Sequence, residues 1–122
     1  MLADVQLMWT NFINWRKENK VDTIHLDFEF TEKDKVADIY PQFYHKTDKS
    51  GRPLYIERLG GMNVPALWTV TTEERMWQSY FQAFEHLFNF RYPAASAKAG
   101  RRIDTSLSII DMTSFSATMM NS

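Results

Sequence analysis

The segment QFYHKTDKSGRPLYIERL, residues 42–59, decides the fold because it encodes two strands and the turn that joins them. Aromatic and branched residues dominate residues 42–45 and 54–59, and such residues favour a pleated, half-buried strand. Between them, KTDKSGRP supplies the Asp, Ser, Gly and Pro that tight turns require. The segment therefore predicts a β-hairpin.

Two helices are predicted before this hairpin. Over residues 5–19, apolar residues recur mostly at three- and four-residue spacing, which is the period of an amphipathic helix. Residues 32–40 predict a short helix that Thr31 caps and Pro41 ends. The intervening VDTIHLDFEF, residues 21–30, is compatible with an extended segment or with a loose connection.

A long helix and a further strand are predicted after the hairpin. Thr71 and Glu74 have the spacing of a capping box, which begins a helix that runs to about Arg91. The proline that opens the following stretch, PAASAKAG, is expected to end this helix and leave a small-residue loop. Residues 104–112 then predict a strand, so the long helix is a crossover between strands.

This order of elements defines the expected fold class. Helices, a hairpin, a crossover helix and a returning strand indicate an α/β (α+β) architecture around one core. A chain of 122 residues is one domain at most. Further strands normally follow such a crossover, so residues 1–40 are interpreted as a helical lead-in and residues 41–122 as a sheet domain truncated at its C-terminus.

Composition disfavours several functional classes. The 14 basic and 15 acidic residues leave a net charge of −1, so no overall field attracts nucleic acid. The chain has no cysteine, and its three histidines lack the i, i+4 spacing of a helical zinc site, so no metal is expected. No signal peptide or membrane-spanning run is visible, and a cytoplasmic location is expected.

Catalytic motifs are also missing from the sequence. The nucleophile motif GxSxG and the nucleotide-binding motifs GxGxxG and GxxxxGK[ST] do not occur. Gly60 and Gly61 are interpreted as a turn, not as a phosphate-binding loop. We therefore expect no catalytic residues, no cofactor and no enzymatic activity.

Two serines of the last strand are candidate binding residues. Strand alternation places Ser106 and Ser108 on one face, and Leu107 and Ile109 on the other. If helices cover the Leu/Ile face, the two hydroxyls face either solvent or a cavity. A cavity lined with small hydroxyls suits a polar headgroup in an apolar pocket, whereas an exposed strand face would leave both serines without a special role.

Two tyrosines of the hairpin, Tyr44 and Tyr55, are further candidates. Each combines an apolar ring with a polar hydroxyl, so the pair could hold a choline-type cation against a ring and a phosphate on a hydroxyl. Aromatic pairs across strands also occur as ordinary sheet packing. The pattern by itself leaves both interpretations open.

The long helix carries a broad apolar face. Its members are Met76, Trp77, Tyr80, Phe81, Phe84, Leu87 and Phe88. A filled core and the wall of an acyl-chain cavity both need apolar side chains that face inward, so the sequence does not separate them.

Five blocks of sequence resemble one known family in the right order. YPQFYHKTDKSGRPLYIERLG, residues 40–60, is similar to the start of the CRAL-TRIO domain of the fungal phosphatidylinositol/phosphatidylcholine transfer proteins. The other blocks are WRKE (residues 15–18), VDTI with a following DF (from Val21), VTTEERM (residues 70–76), and RYPAASAKAG with IDTSLSIIDM (from Arg91). The similarity covers nearly the whole chain.

The resemblance implies a fold and a function. Such domains place a sheet floored by helices after a helical lobe, and they enclose one phospholipid under a gate helix. By this resemblance, residues 41–122 are the first part of a lipid-binding domain. The implied function is non-catalytic binding and intermembrane transfer of phosphatidylinositol and phosphatidylcholine, with transient peripheral contact at Golgi or endosomal membranes. The alternative is a CRAL-TRIO-like regulatory or protein-interaction module that senses another hydrophobic ligand.

The resemblance also assigns residues by position. The implied phosphatidylcholine headgroup ligands are Tyr44, Tyr55, Ser106 and Ser108. A third headgroup tyrosine of the family falls at Phe84, which lacks the hydroxyl. The expected pocket-lining residues are Phe84, Tyr80, Phe81 and Phe88. The family's inositol-headgroup residues lie mainly later in the domain, so none is assigned.

Overall fold

The computed structural model describes residues 1–116. Its helices are α1 (Leu2–Glu18), α2 (Ile24–Asp27), α3 (Lys33–Ile39), α4 (Val64–Val70), α5 (Glu73–His86) and α6 (Tyr92–Ala99). Its strands are β1 (Gln42–Thr47), β2 (Pro53–Glu57) and β3 (Leu107–Ile110). Short 3-10 turns occupy Val21–Thr23 and Leu59–Gly61, and a π-helical turn occupies Leu87–Arg91.

The three strands form one mixed sheet in the order β1-β2-β3. β1 pairs antiparallel with β2, as the hairpin prediction requires, and β2 pairs parallel with β3. Helices α4, α5 and α6 make the crossover between the two parallel strands. The predicted α/β (α+β) class is therefore confirmed. The last predicted strand, residues 104–112, is shorter than expected, and residues 117–122 of the predicted sheet domain lie outside the described residues.

The segment before the hairpin is helical almost throughout. The predicted first helix is present as α1, and the undecided segment that follows folds as a 3-10 turn and α2. The prediction that Thr31 caps the next helix is wrong. Glu32 occupies the cap position without a side-chain cap bond, and the Thr31 hydroxyl donates to the Glu32 carboxylate instead.

The start of α5 also differs from its prediction. Thr72, not Thr71, is the N-cap, and its hydroxyl accepts a 3.3 Å bond from the backbone N–H of Arg75. Thr71 is buried, and its hydroxyl donates to Glu32 at 2.8 Å. A tertiary hydrogen bond to the N-terminal segment therefore replaces the local capping box.

The predicted end of the long helix at Arg91 is wrong. The chain stays helical through the π-helical turn into α6, so the stretch PAASAKAG is helix where a loop was expected. Pro93 lies in the first turn of α6, where its missing N–H and fixed φ angle are tolerated. The alanines then favour helix, and Gly100 ends it with a φ of 64°.

The hydrophobic core of the described part is small. Its buried centre consists of Val36, Tyr40, Leu67 and Met76. The sequence left open whether helices cover the face of β3 that carries Leu107 and Ile109. These two side chains are 37% and 48% exposed in the described part of the chain. Among the described residues, no helix is long and apolar enough to cross a membrane.

Candidate functional site

Three of the four implied headgroup residues lie in one row across the sheet. Tyr44 pairs with Tyr55 in the β1–β2 register, and Tyr55 pairs with Ser108 in the β2–β3 register. Paired residues of adjacent strands project from the same face. The structure therefore brings Tyr44, Tyr55 and Ser108 together, and we call these three residues the hydroxyl row.

The fourth implied residue, Ser106, stands just outside β3. It is half-buried and precedes the strand, which begins at Leu107. The pairing of β2 with β3 includes Ser108 but does not extend to Ser106. Its membership of the same face stays a prediction from strand alternation.

The two tyrosines of the hydroxyl row are packed against each other. Their ring centroids are 5.2 Å apart, and the ring planes are tilted by 51°. The Tyr55 hydroxyl donates to Gln42 Oε1 at 3.1 Å. Gln42 pairs with Glu57 in the next row, and the Tyr40 hydroxyl donates to the Glu57 carboxylate. A second polar row thus borders the hydroxyl row.

Both tyrosines stay protonated at neutral pH. Burial is the main cause that raises the pKa of Tyr44, with Tyr92 adding to it and Arg91 opposing it. Burial also raises the pKa of Tyr55 well above its ordinary value, and the charge of Glu57 adds to this effect. The hydroxyl row therefore carries neutral O–H groups. The Tyr44 hydroxyl can donate to a phosphate oxygen, and the Tyr55 hydroxyl can do so once it leaves Gln42.

Sequence reasoning missed Arg91. The π-helical turn carries this residue over the Tyr44 ring, with its guanidinium carbon 4.5 Å from the ring centroid. The Arg91 guanidinium therefore already contacts the Tyr44 ring, against which a choline cation was proposed to bind. The available signal in the sequence was a basic residue near the end of the aromatic helix face. The position of Arg91 over Tyr44, however, depends on the helix continuing past Arg91.

The implied pocket-lining residues divide between two surroundings. Tyr80 interacts with Tyr40 and Tyr55, so it belongs beside the hydroxyl row. Phe81 packs on Trp15 of α1, with centroids 5.0 Å apart, and therefore lies in the contact between α1 and α5. The structure does not bring Phe81 to the row.

Phe84 and Phe88 follow Tyr80 at four-residue steps along the same side of the helix. They are 56% and 60% exposed. The Phe88 ring makes an edge contact with Tyr92 at 5.5 Å, and Tyr92 in turn influences the Tyr44 hydroxyl. Tyr80 thus interacts with Tyr55, and Tyr92 interacts with Tyr44. Phe84 lies between Tyr80 and Tyr92 in sequence.

No group of three or more His, Asp and Glu side chains that could hold a metal ion occurs among residues 1–116. The functional geometry that the described residues do contain is the hydroxyl row beside an aromatic helix face. Together these features define a part of a mixed α/β fold, with protonated hydroxyls on one sheet face and Tyr80 and Tyr92 of the neighbouring helical segment beside them.

No family model matches this chain. The SEC14 cytosolic factor of Eremothecium gossypii is 46% identical over 111 residues, which are 91% of this chain and 36% of the relative. The Sec14 cytosolic factor of Schizosaccharomyces pombe is 45% identical over 88% of this chain and 38% of its own length. The phosphatidylinositol/phosphatidylcholine transfer protein SFH4 of Arabidopsis thaliana is 47% identical over 91% of this chain.

These relatives confirm the resemblance seen in the sequence blocks. The chain is a homologue of the Sec14-type phosphatidylinositol/phosphatidylcholine transfer proteins over most of its own length, consistent with part of a CRAL-TRIO fold. The chain spans little more than a third of the fungal relatives and 18% of the plant relative.

Proposed function

We propose that this chain supplies headgroup-binding elements of a domain that binds phospholipid and transfers it between membranes. The observation that carries the proposal is the hydroxyl row, in which Tyr44, Tyr55 and Ser108 share one face in register. The proposed ligands are phosphatidylcholine and phosphatidylinositol, which the name of the SFH4 relative states. No bond is broken in this activity, so no catalytic residue is proposed.

The physical chemistry of lipid transfer supports this proposal. A diacyl lipid that crosses water exposes its chains at about 0.8 kcal/mol per CH₂, and an apolar cavity removes most of that barrier. The aromatic side of α5 and of the π-helical turn after it offers apolar rings for this purpose, since Phe84 and Phe88 are largely exposed in the described part. Their exposure leaves room for a ligand or for another part of the protein.

The headgroup must find partners inside such a cavity. An ionised phosphate without hydrogen bonds in an apolar site is strongly destabilised. The protonated Tyr44 hydroxyl is a donor, and the Tyr55 hydroxyl becomes one when it leaves Gln42. The Arg91 guanidinium beside Tyr44 adds a positive charge. A charge-assisted bond from arginine to phosphate is among the stronger hydrogen bonds in proteins. We propose Ser106 as a further headgroup residue.

We also propose a division of the chain and a place of action. Residues 1–40 are proposed as a helical lead-in, and residues 41–122 as the first part of the lipid-binding domain. The two fungal relatives are described as cytosolic factors, which supports a cytoplasmic protein. Transient peripheral contact with Golgi or endosomal membranes is proposed as the place where lipid is exchanged.

The proposal is tested by replacing Ser106 and Ser108 together with alanine in the full-length protein. A hydrogen bond to a charged group contributes about 1.5–3 kcal/mol, so phosphatidylcholine transfer between vesicles should fall about tenfold or more. Transfer of phosphatidylinositol should fall less, because both hydroxyls are assigned to the choline lipid. Thr105→Ala is the control, since it removes an exposed hydroxyl from the position immediately before Ser106.

Equal loss of both transfer activities, together with a lower melting temperature, would contradict the headgroup assignment and indicate a structural role. Native mass spectrometry of the purified protein supplies a second readout. Bound phosphatidylcholine or phosphatidylinositol supports transfer. A retinoid, a tocopherol or no lipid would favour a regulatory module that senses another ligand.

A further inference from the structure

A local group of positive charges lies at one end of the fold, although the charges of the chain nearly cancel overall. The turn between β1 and β2 and the last turn of α6 enclose a hollow of about 370 Å³. Three cationic side chains line it, namely Lys49 from the hairpin turn, Lys98 from α6 and Arg101 from just beyond that helix. We call this group of three side chains the basic hollow.

The one acidic side chain in the hollow is already committed to other partners. The Asp48 carboxylate accepts bonds from the backbone N–H groups of Ser50 at 2.8 Å and Arg52 at 2.9 Å. It also accepts a 2.7 Å bond from the Arg52 side chain. The Arg52 backbone N–H is the main cause that lowers the pKa of Asp48, so this carboxylate is ionised at neutral pH. Asp48 and Arg52 thus neutralise each other and leave the three other cations uncompensated.

The hairpin turn is fixed against the helix. Gly51 has a φ of 83°, and a Cβ atom added to it would lie 3.3 Å from the Ala99 Cβ. The Arg101 guanidinium donates to the backbone carbonyl of Ser50, which joins the two elements a second time. Lys49 is therefore held beside Lys98 and Arg101 by contacts between residues about fifty positions apart in sequence.

These three cations have no ion-pair partner among residues 1–116, in contrast to Arg102, which pairs with Asp104 at 2.9 Å. The C-terminal end of α6 carries only a partial negative charge, which stabilises Lys98 slightly without neutralising it. All three side chains are exposed. A chain with a net charge of −1 thus presents a local surface of three uncompensated positive charges.

We propose that the basic hollow is a docking surface for an anionic lipid bilayer. Charge complementarity is the argument, because exposed Lys and Arg side chains near an anionic membrane each contribute to binding additively within a Debye length. The surface is formed by a hairpin tip and a helix end, and its three cationic side chains are exposed. The inference rests on the proposed transfer function for its role, since exchange of lipid requires contact with a membrane.

The test is co-sedimentation of the protein with phosphatidylcholine vesicles that contain or lack phosphatidylserine. The test variant combines Lys49→Gln, Lys98→Gln and Arg101→Gln. From the contribution of each cation near a membrane surface, each removal should weaken binding about fivefold, and the triple variant should lose on the order of a hundredfold. Binding of the unmodified protein should also weaken as salt rises.

The matched control removes three other exposed lysines, by Lys17→Gln, Lys33→Gln and Lys35→Gln. These side chains lie on α1 and α3, and α3 leads into the end of β1 opposite the hairpin turn. The control has the same change in net charge and should retain binding to the anionic vesicles. Arg101→Lys keeps the charge but changes the donor geometry, so its binding should stay within about twofold of the unmodified protein, well short of the fivefold loss expected for one missing charge.

Equal loss of vesicle binding in the test and control variants would overturn the proposal, because net charge alone would then explain it. RNA binding that equals vesicle binding at matched salt would also overturn it. Lipid exchange between uncharged vesicles is a separate readout of the proposed transfer function. If that exchange fails while the unmodified protein still binds anionic vesicles through the three cations, the docking surface stands and the transfer function does not.

Discussion

Gly60 is expected to be irreplaceable, whereas its neighbour Gly61 is not. Gly60 is buried in the 3-10 turn after β2, and its backbone N–H donates to the Asp111 carbonyl at 3.0 Å. A Cβ atom at Gly60 would lie 2.1 Å from the Thr113 carbonyl oxygen and 2.6 Å from the Met112 carbonyl carbon. A Cβ atom at Gly61 would meet nothing within 4 Å.

The size of the effect follows from this geometry. Both obstructing atoms belong to the backbone, so the segment after β3 would have to move by about 1 Å. Overpacking of this kind destabilises a protein by about 1–3 kcal/mol, and we expect Gly60→Ala to cost about 2–3 kcal/mol. Gly61 has no positive φ angle, so Gly61→Ala should leave stability unchanged or raise it by about 0.4–1 kcal/mol.

Urea-induced and thermal unfolding measure both variants directly. For a chain of this size, the expected loss lowers the melting temperature of Gly60→Ala by roughly 5–15 °C. The contact also holds the end of β3 beside β2, so Gly60→Ala should reduce binding of phosphatidylcholine through Ser108. Equal stability of the two alanine variants would refute the reasoning, because they differ only in the space around the added methyl group.

Two further predictions concern charge and a missing hydroxyl. Hydrogen bonds from Arg75 lower the pKa of Glu32 from 4.5 to about 2, so this carboxylate adds stability above about pH 4.5 that is lost as pH falls towards 2. In the Glu32→Gln variant, the free energy of unfolding should depend less on pH between about 4.5 and 2. An unchanged pH dependence in acid denaturation would contradict this prediction. Phe84→Tyr should tighten phosphatidylcholine binding by up to about tenfold without lowering stability, because the ring is 56% exposed. Unchanged choline-lipid binding would argue against a pocket position for Phe84.

The sequence by itself determined the local elements of this protein. The hairpin follows from turn residues between two aromatic runs, and α1 and α5 follow from apolar spacing, since each of these signals lies within one short segment. The candidate headgroup residues were found from ordered sequence blocks. The same sequence blocks identified the relatives of the chain.

Element boundaries were less predictable where a distant residue competes with a local partner. Thr71 has the right spacing for a capping box, yet it bonds to Glu32, which lies 39 positions earlier in the chain. Pro93 predicts the end of a helix, yet the preceding π-helical turn lets it begin α6. Local rules fail at these positions because they do not include the tertiary partner or the altered helix geometry.

Tertiary structure decided how the candidate headgroup residues meet. The row from Tyr44 through Tyr55 to Ser108 depends on two strand registers, and the position of Arg91 over Tyr44 depends on a helix that continues past it. The basic hollow likewise joins a hairpin tip to a helix end. Contacts of this kind depend on packing between segments far apart in the chain, which no periodicity within a single segment encodes.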